Sequence, residues 1–260
     1  MTTEAGVIKP FYVWEGVYES FQSAAQRAQG DGFSGSTYSE RSRAVARECL
    51  AALAEGTPIP PFHKQRSTLL PCTAAMIGSV KSGIRILDFG GGLGIGYMTL
   101  EESMQDGMHN IDYSIFEVPG VARIGKEMLG GKVTYLSGLE GVGKFDLIHA
   151  ASSLQYVEDW KGLVSTFAGL DAEYLLLSDV FAGHFSSFVT LQNYYESKIP
   201  HWFLNFDELV KVFHDAGYAL LMKTYAASRR VESIDILPME NFPENLRLSQ
   251  SLHLLLQKKK

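Results

Sequence analysis

The acid Asp88 closes a short apolar run, Ile84-Arg85-Ile86-Leu87-Asp88-Phe89, and Gly90-Gly91-Gly92-Leu93-Gly94 follows at once. The run reads as a strand. Glycines after it permit φ > 0 and let a ligand come close to the main chain. A helical pattern from about Ile95 to Met104 comes next, so the turn presents free N–H groups at a helix start. Strand, turn and helix are the front half of a nucleotide-binding βαβ unit. The dinucleotide spacing G-x-G-x-x-G fails here, because Ile95 and Tyr97 stand where the third glycine belongs, counted from Gly90 and Gly92. What remains is D-x-G-x-G-x-G. Glu117 lies 23 positions after Gly94, at the end of the next strand pattern. There a carboxylate accepts hydrogen bonds from both ribose hydroxyls, or it is simply a solvent-facing acid. Asp179 closes a later apolar run, and His184 follows it. Strand ends at this edge face the ligand crevice, and an imidazole titrates near neutral pH, so His184 is the best-placed candidate base.

The D-x-G-x-G-x-G pattern resembles motif I of the class I S-adenosylmethionine (SAM) dependent methyltransferases. The resemblance implies that Asp88, Gly90, Gly91, Gly92 and Gly94 wrap the methionine and ribose of SAM. It also implies that Glu117 holds the ribose and that Val118, in the loop Val118-Pro119-Gly120-Val121, flanks the adenine. SAM has no pyrophosphate and its sulfonium is cationic, which suits an acid at the strand end. Ser137-Gly138-Leu139 follows the third strand, and Ser137 is either an adenine contact or part of a plain turn. Phe145-Asp146-Leu147-Ile148-His149-Ala150-Ala151-Ser152 resembles motif IV, so Ala151 and Ser152 are expected under the SAM methionine. Many relatives have a His where this chain has Gln155. Gln155 is thus a candidate for the methyl-transfer face, able to position a hydroxyl or amine but not to act as a base. His149, inside that strand, reads first as a hydrogen-bonded core residue.

The match extends further. Trp14-Glu15-Gly16-Val17-Tyr18 and Phe188-Val189-Thr190-Leu191-Gln192-Asn193 occur with motif I in a group similar to bacterial methyltransferases associated with surface-polysaccharide biosynthesis. That likeness implies an acceptor pocket with Gln192, Asn193, Trp202 and Tyr18. Aromatic rings stack on sugar CH faces and amides pair with hydroxyls. Trp202 and Phe203 read equally well as core.

These residues need a scaffold to hold them. From Gly83 onward strand and helix patterns alternate, which predicts a parallel α/β sheet with helices on both faces. The expected strands are Arg85–Phe89, Tyr113–Glu117, Lys132–Leu136, Phe145–Ala150, Tyr174–Asp179, Ala219–Thr224 and His253–Gln257, with a helix over Phe206–Ala216. The seven-stranded, mostly parallel rhythm matches the Rossmann-like methyltransferase sheet, whose last strand the resemblance implies is antiparallel. Residues 1–82 read as a helical N-terminal layer or lid over a SAM-binding domain of residues 83–260. Its helices are expected over Ser36–Leu53, with Ser36 as N-cap, and His63–Val80, and its lid aromatics are Tyr12, Trp14, Tyr18 and Tyr38.

Composition narrows the field. The chain has 260 residues, 46% of them apolar, and a net charge of -6. An acidic balance argues against a nucleic-acid substrate. The closing Lys258-Lys259-Lys260 reads as a solvated end. Gly138 to Lys144 satisfies G-x-x-x-x-G-K, but Phe145 and a strand follow where a P-loop needs Ser or Thr and a helix. Cys49 and Cys72 read as reduced core thiols, and no ligand spacing suggests a metal. No signal peptide or run of about 18 apolar residues is seen, so a cytoplasmic protein without a membrane span is expected. The expectation is a SAM-dependent methyltransferase, with S-adenosylhomocysteine (SAH) as product, acting at O or N of a small or carbohydrate-type acceptor. Two rivals stand: a silent SAM-binding or scaffold protein, and an NAD-dependent oxidoreductase.

Overall fold

The computed structural model describes residues 11–226, 229–230, 233–234 and 236–260. Its strands are β1 (Trp14–Tyr18), β2 (Ile84–Phe89), β3 (Ile111–Phe116), β4 (Thr134–Leu136), β5 (Leu147–Ala151), β6 (Tyr174–Val180), β7 (Ala182–Gly183), β8 (Phe188–Tyr194), β9 (Ser197–Asn205), β10 (Tyr218–Tyr225), β11 (Arg229–Arg230), β12 (Ser233–Ile234) and β13 (Leu252–Lys258). Its α-helices are α1 (Phe21–Ala25), α2 (Ser36–Glu55), α3 (Pro61–Lys64), α4 (Leu70–Gly78), α5 (Ile95–Met104), α6 (Pro119–Leu129), α7 (Trp160–Gly169) and α8 (Phe206–Asp215).

Seven strands form one sheet in the order β10-β13-β6-β5-β2-β3-β4. Strand β13 runs antiparallel to both its neighbours, and β6, β5, β2, β3 and β4 are mutually parallel. This is the expected Rossmann-like sheet, seven-stranded and mostly parallel. Side chains alternate between its faces with period 2. Ile86, Ile115, Leu147, Leu176 and Leu255 pack with residues of α2, α4, α5 and α6. Leu87, Ile148, Leu175, Leu177, Leu254 and Leu256 pack with α7 and α8 on the other side. Both faces of the central strands are buried, so these strands are mostly apolar. Among the described residues, no helix is long and apolar enough to cross a membrane.

The N-terminal expectation needs correction. Residues 1–10 of that segment lie outside the described residues, and the rest is not wholly helical. Strand β1 joins a second, four-stranded sheet in the order β1-β8-β9-β7. The chain leaves the main sheet at Phe181, builds β7, β8 and β9, and returns through α8, so three of the four strands are an insertion after β6 and the N-terminal β1 completes the sheet. Its core includes Trp14, Phe181, Phe188, Phe203 and Phe242, with Phe188 and Phe203 stacked 5.1 Å apart. The β8–β9 hairpin closes through Tyr195-Glu196, with Tyr195 at φ 53°. That turn carries none of the Asn-Gly or Gly chemistry by which a two-residue hairpin turn is recognised.

The expected helix over His63–Val80 is broken into α3, a 3-10 turn at Gln65–Ser67, and α4. Pro71 has no N–H for the Ser67 carbonyl, and its ring crowds that carbonyl. The cap of α2 is Gly35, and Ser36 is the first helical residue. Cys49 is buried, but Cys72 is exposed, because α4 buries the stripe Leu70, Thr73, Ala74, Ile77 and Cys72 lies off it.

One glycine couples this packing to the site. A Cβ on Gly125 in α6 would overlap the Tyr135 hydroxyl, which donates to the Gly92 carbonyl at 3.0 Å. Gly125→Ala gains helix propensity yet forces Tyr135 to move. We expect a net loss of about 1–3 kcal/mol in urea unfolding. An unchanged or raised midpoint would contradict this packing.

Candidate functional site: a glycine crevice joined to a second cavity

The turn after β2 takes the conformation its glycines permit. Gly90, Gly92 and Gly94 have φ of 68°, 57° and 83°, values that cost an ordinary side chain strain. The turn closes over Asp88. A Cβ on Gly91 would lie 2.6 Å from Asp88 Oδ2, and one on Gly96 would lie 2.7 Å from the same oxygen. Asp88 itself faces inward. Its Oδ2 accepts from the Tyr113 hydroxyl at 2.7 Å, and its Oδ1 from His149 Nδ1 at 2.9 Å. Burial, then the neighbouring Asp88 charge, push the Tyr113 hydroxyl well above its ordinary pKa, which keeps it a donor.

Glu117 follows β3 and reaches back to the turn. Its Oε2 accepts from the Gly92 N–H at 2.9 Å and its Oε1 from the Val118 N–H at 2.7 Å. Burial raises the Glu117 pKa, and these two bonds oppose the rise. A carboxylate offers about four lone-pair sites, so further donors can be accepted.

Two contiguous cavities open here. One, about 290 Å³, is lined by Phe89, Gly90, Phe116, Glu117, Val118, Ala151, Ser152 and Ser153. The other, about 340 Å³, is lined by Gly90, Gly91, Gly92, Asp88, His149 and Ser42. Tyr38, Arg66, Gly90, Ala151 and Tyr194 border both. A third cavity of about 610 Å³ meets the second at Phe62, Gln65 and Arg66, and extends past Asp179 to Trp14, Gln192 and His253. Arg66 therefore stands at the junction. Its Nε lies 3.0 Å from Asp179 Oδ2, and its side chain is 55% exposed.

The floor near this junction is strained. Ser152 and Asp179, at the ends of β5 and β6, have φ of 53° and 56°. Non-glycine residues in this region cost of order 1–3 kcal/mol each and gather at functional sites. Burial pushes the Asp179 carboxyl up, but Arg66 and the hydroxyls of Ser251 and Ser152 outweigh it and hold the group below its ordinary range.

The sequence candidates fall into two sets. Gly90, Gly91, Gly92, Glu117, Val118, Ala151 and Ser152 line the crevice. Gly94 caps α5, and a Cβ there would strike Leu129. Gln155 is buried behind the crevice, its Nε2 donating to Ser152 Oγ at 3.0 Å while its Oε1 has no partner. Gln192 reaches the third cavity and accepts from the Tyr156 hydroxyl at 2.7 Å. The others do not line these three cavities. Ser137 is exposed in its turn. His184 is 69% exposed, 3.4 Å from Asp207 on the outer surface of α8. Asn193 donates to the Tyr12 carbonyl at 2.7 Å. Tyr18 packs with Val189 and Leu191, and Trp202 lies beside Phe21 at 6.1 Å.

Several site residues carry no sequence motif. Arg66 lies in an expected helix, where a charge reads as a solvated face. Phe33, Tyr156 and Tyr194 form an aromatic wall with Tyr38, Phe33 standing 5.0 Å from Tyr156 and 5.4 Å from Tyr38. Burial first, then Glu117, push the Tyr38 hydroxyl up to about 12, so it serves as a neutral donor. Among the described residues no group of three His, Cys, Asp or Glu side chains is placed to hold a metal ion.

No family model and no curated protein matches the sequence. Solved structures match its fold. Magnesium protoporphyrin IX methyltransferase from Synechocystis PCC 6803 with bound SAH is 13% identical, with 87% of this chain and 96% of that chain covered and a TM-score of 0.54. The same enzyme with bound SAM gives 14% identity, coverage of 87% and 94%, and a TM-score of 0.53. The glycopeptide N-methyltransferase MtfA complexed with SAM is 11% identical, with coverage of 75% and 94% and a TM-score of 0.52. At such identities the likeness is one of fold.

The junction is testable through pH. Asp179 is held below 3.8 in the folded protein, so its contribution to stability is present above the unfolded pKa and lost as pH falls through the folded one. Removing Arg66 leaves burial as the dominant influence on Asp179. Arg66→Gln should lower stability by about 1–2 kcal/mol at pH 7, discounted for the exposure of Arg66. The gap should shrink as pH falls through the carboxylate range. A gap that stays constant with pH would separate Asp179 from Arg66.

Proposed function

We propose that this protein is a SAM-dependent methyltransferase that transfers the methyl group to an oxygen or nitrogen of a small acceptor. The observation that carries this reading is the pairing of the glycine turn with Glu117. A Cβ on Gly92 would meet nothing within 4 Å, so the backbone there borders open space, and Glu117 is fixed beside it by the Gly92 N–H. The crevice suits an adenosine in the cavity with Phe116, Glu117 and Val118, and an amino-acid tail in the cavity with Gly90, Gly91 and Gly92. The matching folds with bound SAM or SAH support the same reading.

SAM, when bound, supplies an electrophilic methyl group on a cationic sulfonium. Glu117 accepts hydrogen bonds from the ribose and sets the depth of the nucleoside. Tyr38, Phe33, Tyr156 and Tyr194 wall the crevice and exclude water. Ala151 and Ser152 give a small-residue floor where the crevice meets the acceptor side. Gln155 supports that floor through Ser152 and has no lone pair of sufficient basicity to take a proton. The walls and floor of the crevice therefore act by holding acceptor and methyl in line, a source of several kcal/mol. His184, on the outer surface, is too remote for the role of base. The aromatic segment with Trp14 borders the acceptor side, and residues 11–82 supply part of the lid.

Within this reading the acceptor is carbohydrate-type, consistent with Trp14, Phe181, Gln65 and Gln192 around the third cavity, and the work is done in the cytoplasm as part of surface-polysaccharide biosynthesis. Isothermal titration tests the central step. SAH should bind with micromolar affinity, and Glu117→Ala should weaken it at least tenfold, about 1.4 kcal/mol or more. Equal affinity in both proteins removes Glu117 from the site. Binding of NADH in place of SAH would favour an oxidoreductase. Binding of SAH without turnover on any acceptor would favour a scaffold.

A further inference from the structure

The third cavity, of about 610 Å³, is rich in hydrogen-bond donors at its polar end. Gln192 Oε1 is occupied by the Tyr156 hydroxyl at 2.7 Å, which leaves the amide N–H groups of Gln192 for the cavity. His253 lines the same cavity and is 4% exposed. Its Nδ1 takes the Asp179 N–H at 3.4 Å. The neutral ring therefore carries its proton at Nε2 and can only donate there. Burial lowers the His253 pKa against the pull of Asp179 and keeps the ring neutral. Arg66 stands beside them, its Nε 3.0 Å from Asp179 Oδ2. Among the described residues its other N–H groups have no partner, and they form a fork suited to a carboxylate.

The same end lacks a base. Among the described residues its titratable side chains are Arg66, Asp179 and His253. Arg66 stays protonated. Burial pushes Asp179 up, but Arg66 and the hydroxyls of Ser251 and Ser152 outweigh it and leave a weak base. His253 has its lone pair on the Asp179 N–H. A hydroxyl would find no group here to take its proton, and an ammonium would meet the charge of Arg66. A carboxylate is ionised above about pH 4 and needs no base. Charge points the same way. When SAM is bound, its sulfonium and Arg66 bring two positive charges against the one negative charge of Asp179. Trp14, Phe181 and Leu237 offer an apolar wall for the rest of such a molecule.

We propose that the methyl-accepting substrate presents a carboxylate to this cavity, held by Arg66, Gln192 and His253, and that the product is a methyl ester. The inference rests on the methyltransferase reading above and narrows its target atom to a carboxylate oxygen. A lone pair of that oxygen forms the bond to the methyl carbon. The carbon–sulfur bond breaks, and its electron pair stays on sulfur as a neutral thioether. The carboxylate and sulfonium charges cancel, and no proton moves. Neither Gln155 nor the remote His184 is then required as a base.

Calorimetry on the SAH-loaded protein tests the recognition. Phenylacetate, 2-phenylethanol and 2-phenylethylamine share one ring and differ in charge. Phenylacetate should bind at least tenfold more tightly than the other two. Gln192→Glu keeps an oxygen for Tyr156 but brings a negative charge. It should weaken phenylacetate at least tenfold and leave SAH within twofold, which also shows that the variant is folded. Equal binding of the three probes, preference for the alcohol or amine, binding of none, or an unchanged phenylacetate affinity in Gln192→Glu overturns the inference. Transfer from methyl-tritiated SAM to the small molecules of a bacterial extract gives a second readout. The label should leave as volatile methanol in alkali, as esters release it. Alkali-stable label, or no label from protein that binds SAH, overturns the carboxylate. Wild-type protein that does not bind SAH overturns the methyltransferase reading itself, a result separate from a wrong preference among the three probes.

Discussion

The buried carboxylate of Asp88 is the fixed point around which the site is built. An ionised carboxylate removed from water costs several kcal/mol unless its lone pairs are filled. Tyr113 and His149 fill two of them from the strands on either side. Glycine is required at positions 91 and 96 because any side chain there would strike this carboxyl group. The turn is therefore shaped from beneath as much as by its own φ angles. From the other side Glu117 and Tyr135 hold Gly92 by its N–H and its carbonyl. The turn arrives pre-formed, and a ligand need not supply the energy to order it.

A second constraint acts at the far end of the crevice. Ser152 and Asp179 hold left-handed conformations at adjacent strand ends, and Asp179 anchors Arg66 where the cavities meet. Strain of this kind persists only where surrounding contacts enforce it. Here they do: the Ser152 N–H donates to the Ser178 carbonyl at 2.8 Å, and Ser251 donates to Asp179. The inserted sheet then closes the region with Trp14, Phe181 and Gln192. A mostly parallel sheet supplies the rigid floor, and an added sheet of mixed strand directions supplies the wall, so the wall can vary in sequence without disturbing the floor.

Much of the floor was legible in the chain. The strands expected at Arg85–Phe89, Tyr113–Glu117 and Tyr174–Asp179 lie within a residue or two of those observed, because strands buried on both faces leave continuous apolar runs. The glycine turn and Glu117 were legible because their spacing is dictated by backbone geometry. The inserted sheet was not, since Tyr195-Glu196 turns without glycine or asparagine and the strand β1 is only five residues long. The break after Lys64 was hidden by a helical period running through Pro71. Arg66 at its junction and the buried pairing of His149 with Asp88 depend on contacts far apart in sequence. No local pattern separates a charge on a helix from one at a cavity junction.

A crystal structure with SAH bound tests the account most directly. The adenosine should lie beside Phe116 and Val118, the ribose hydroxyls on Glu117, and the amino-acid tail over Gly90, Gly91 and Gly92. SAH found outside the glycine crevice, or a crevice filled by the protein's own side chains, would contradict it.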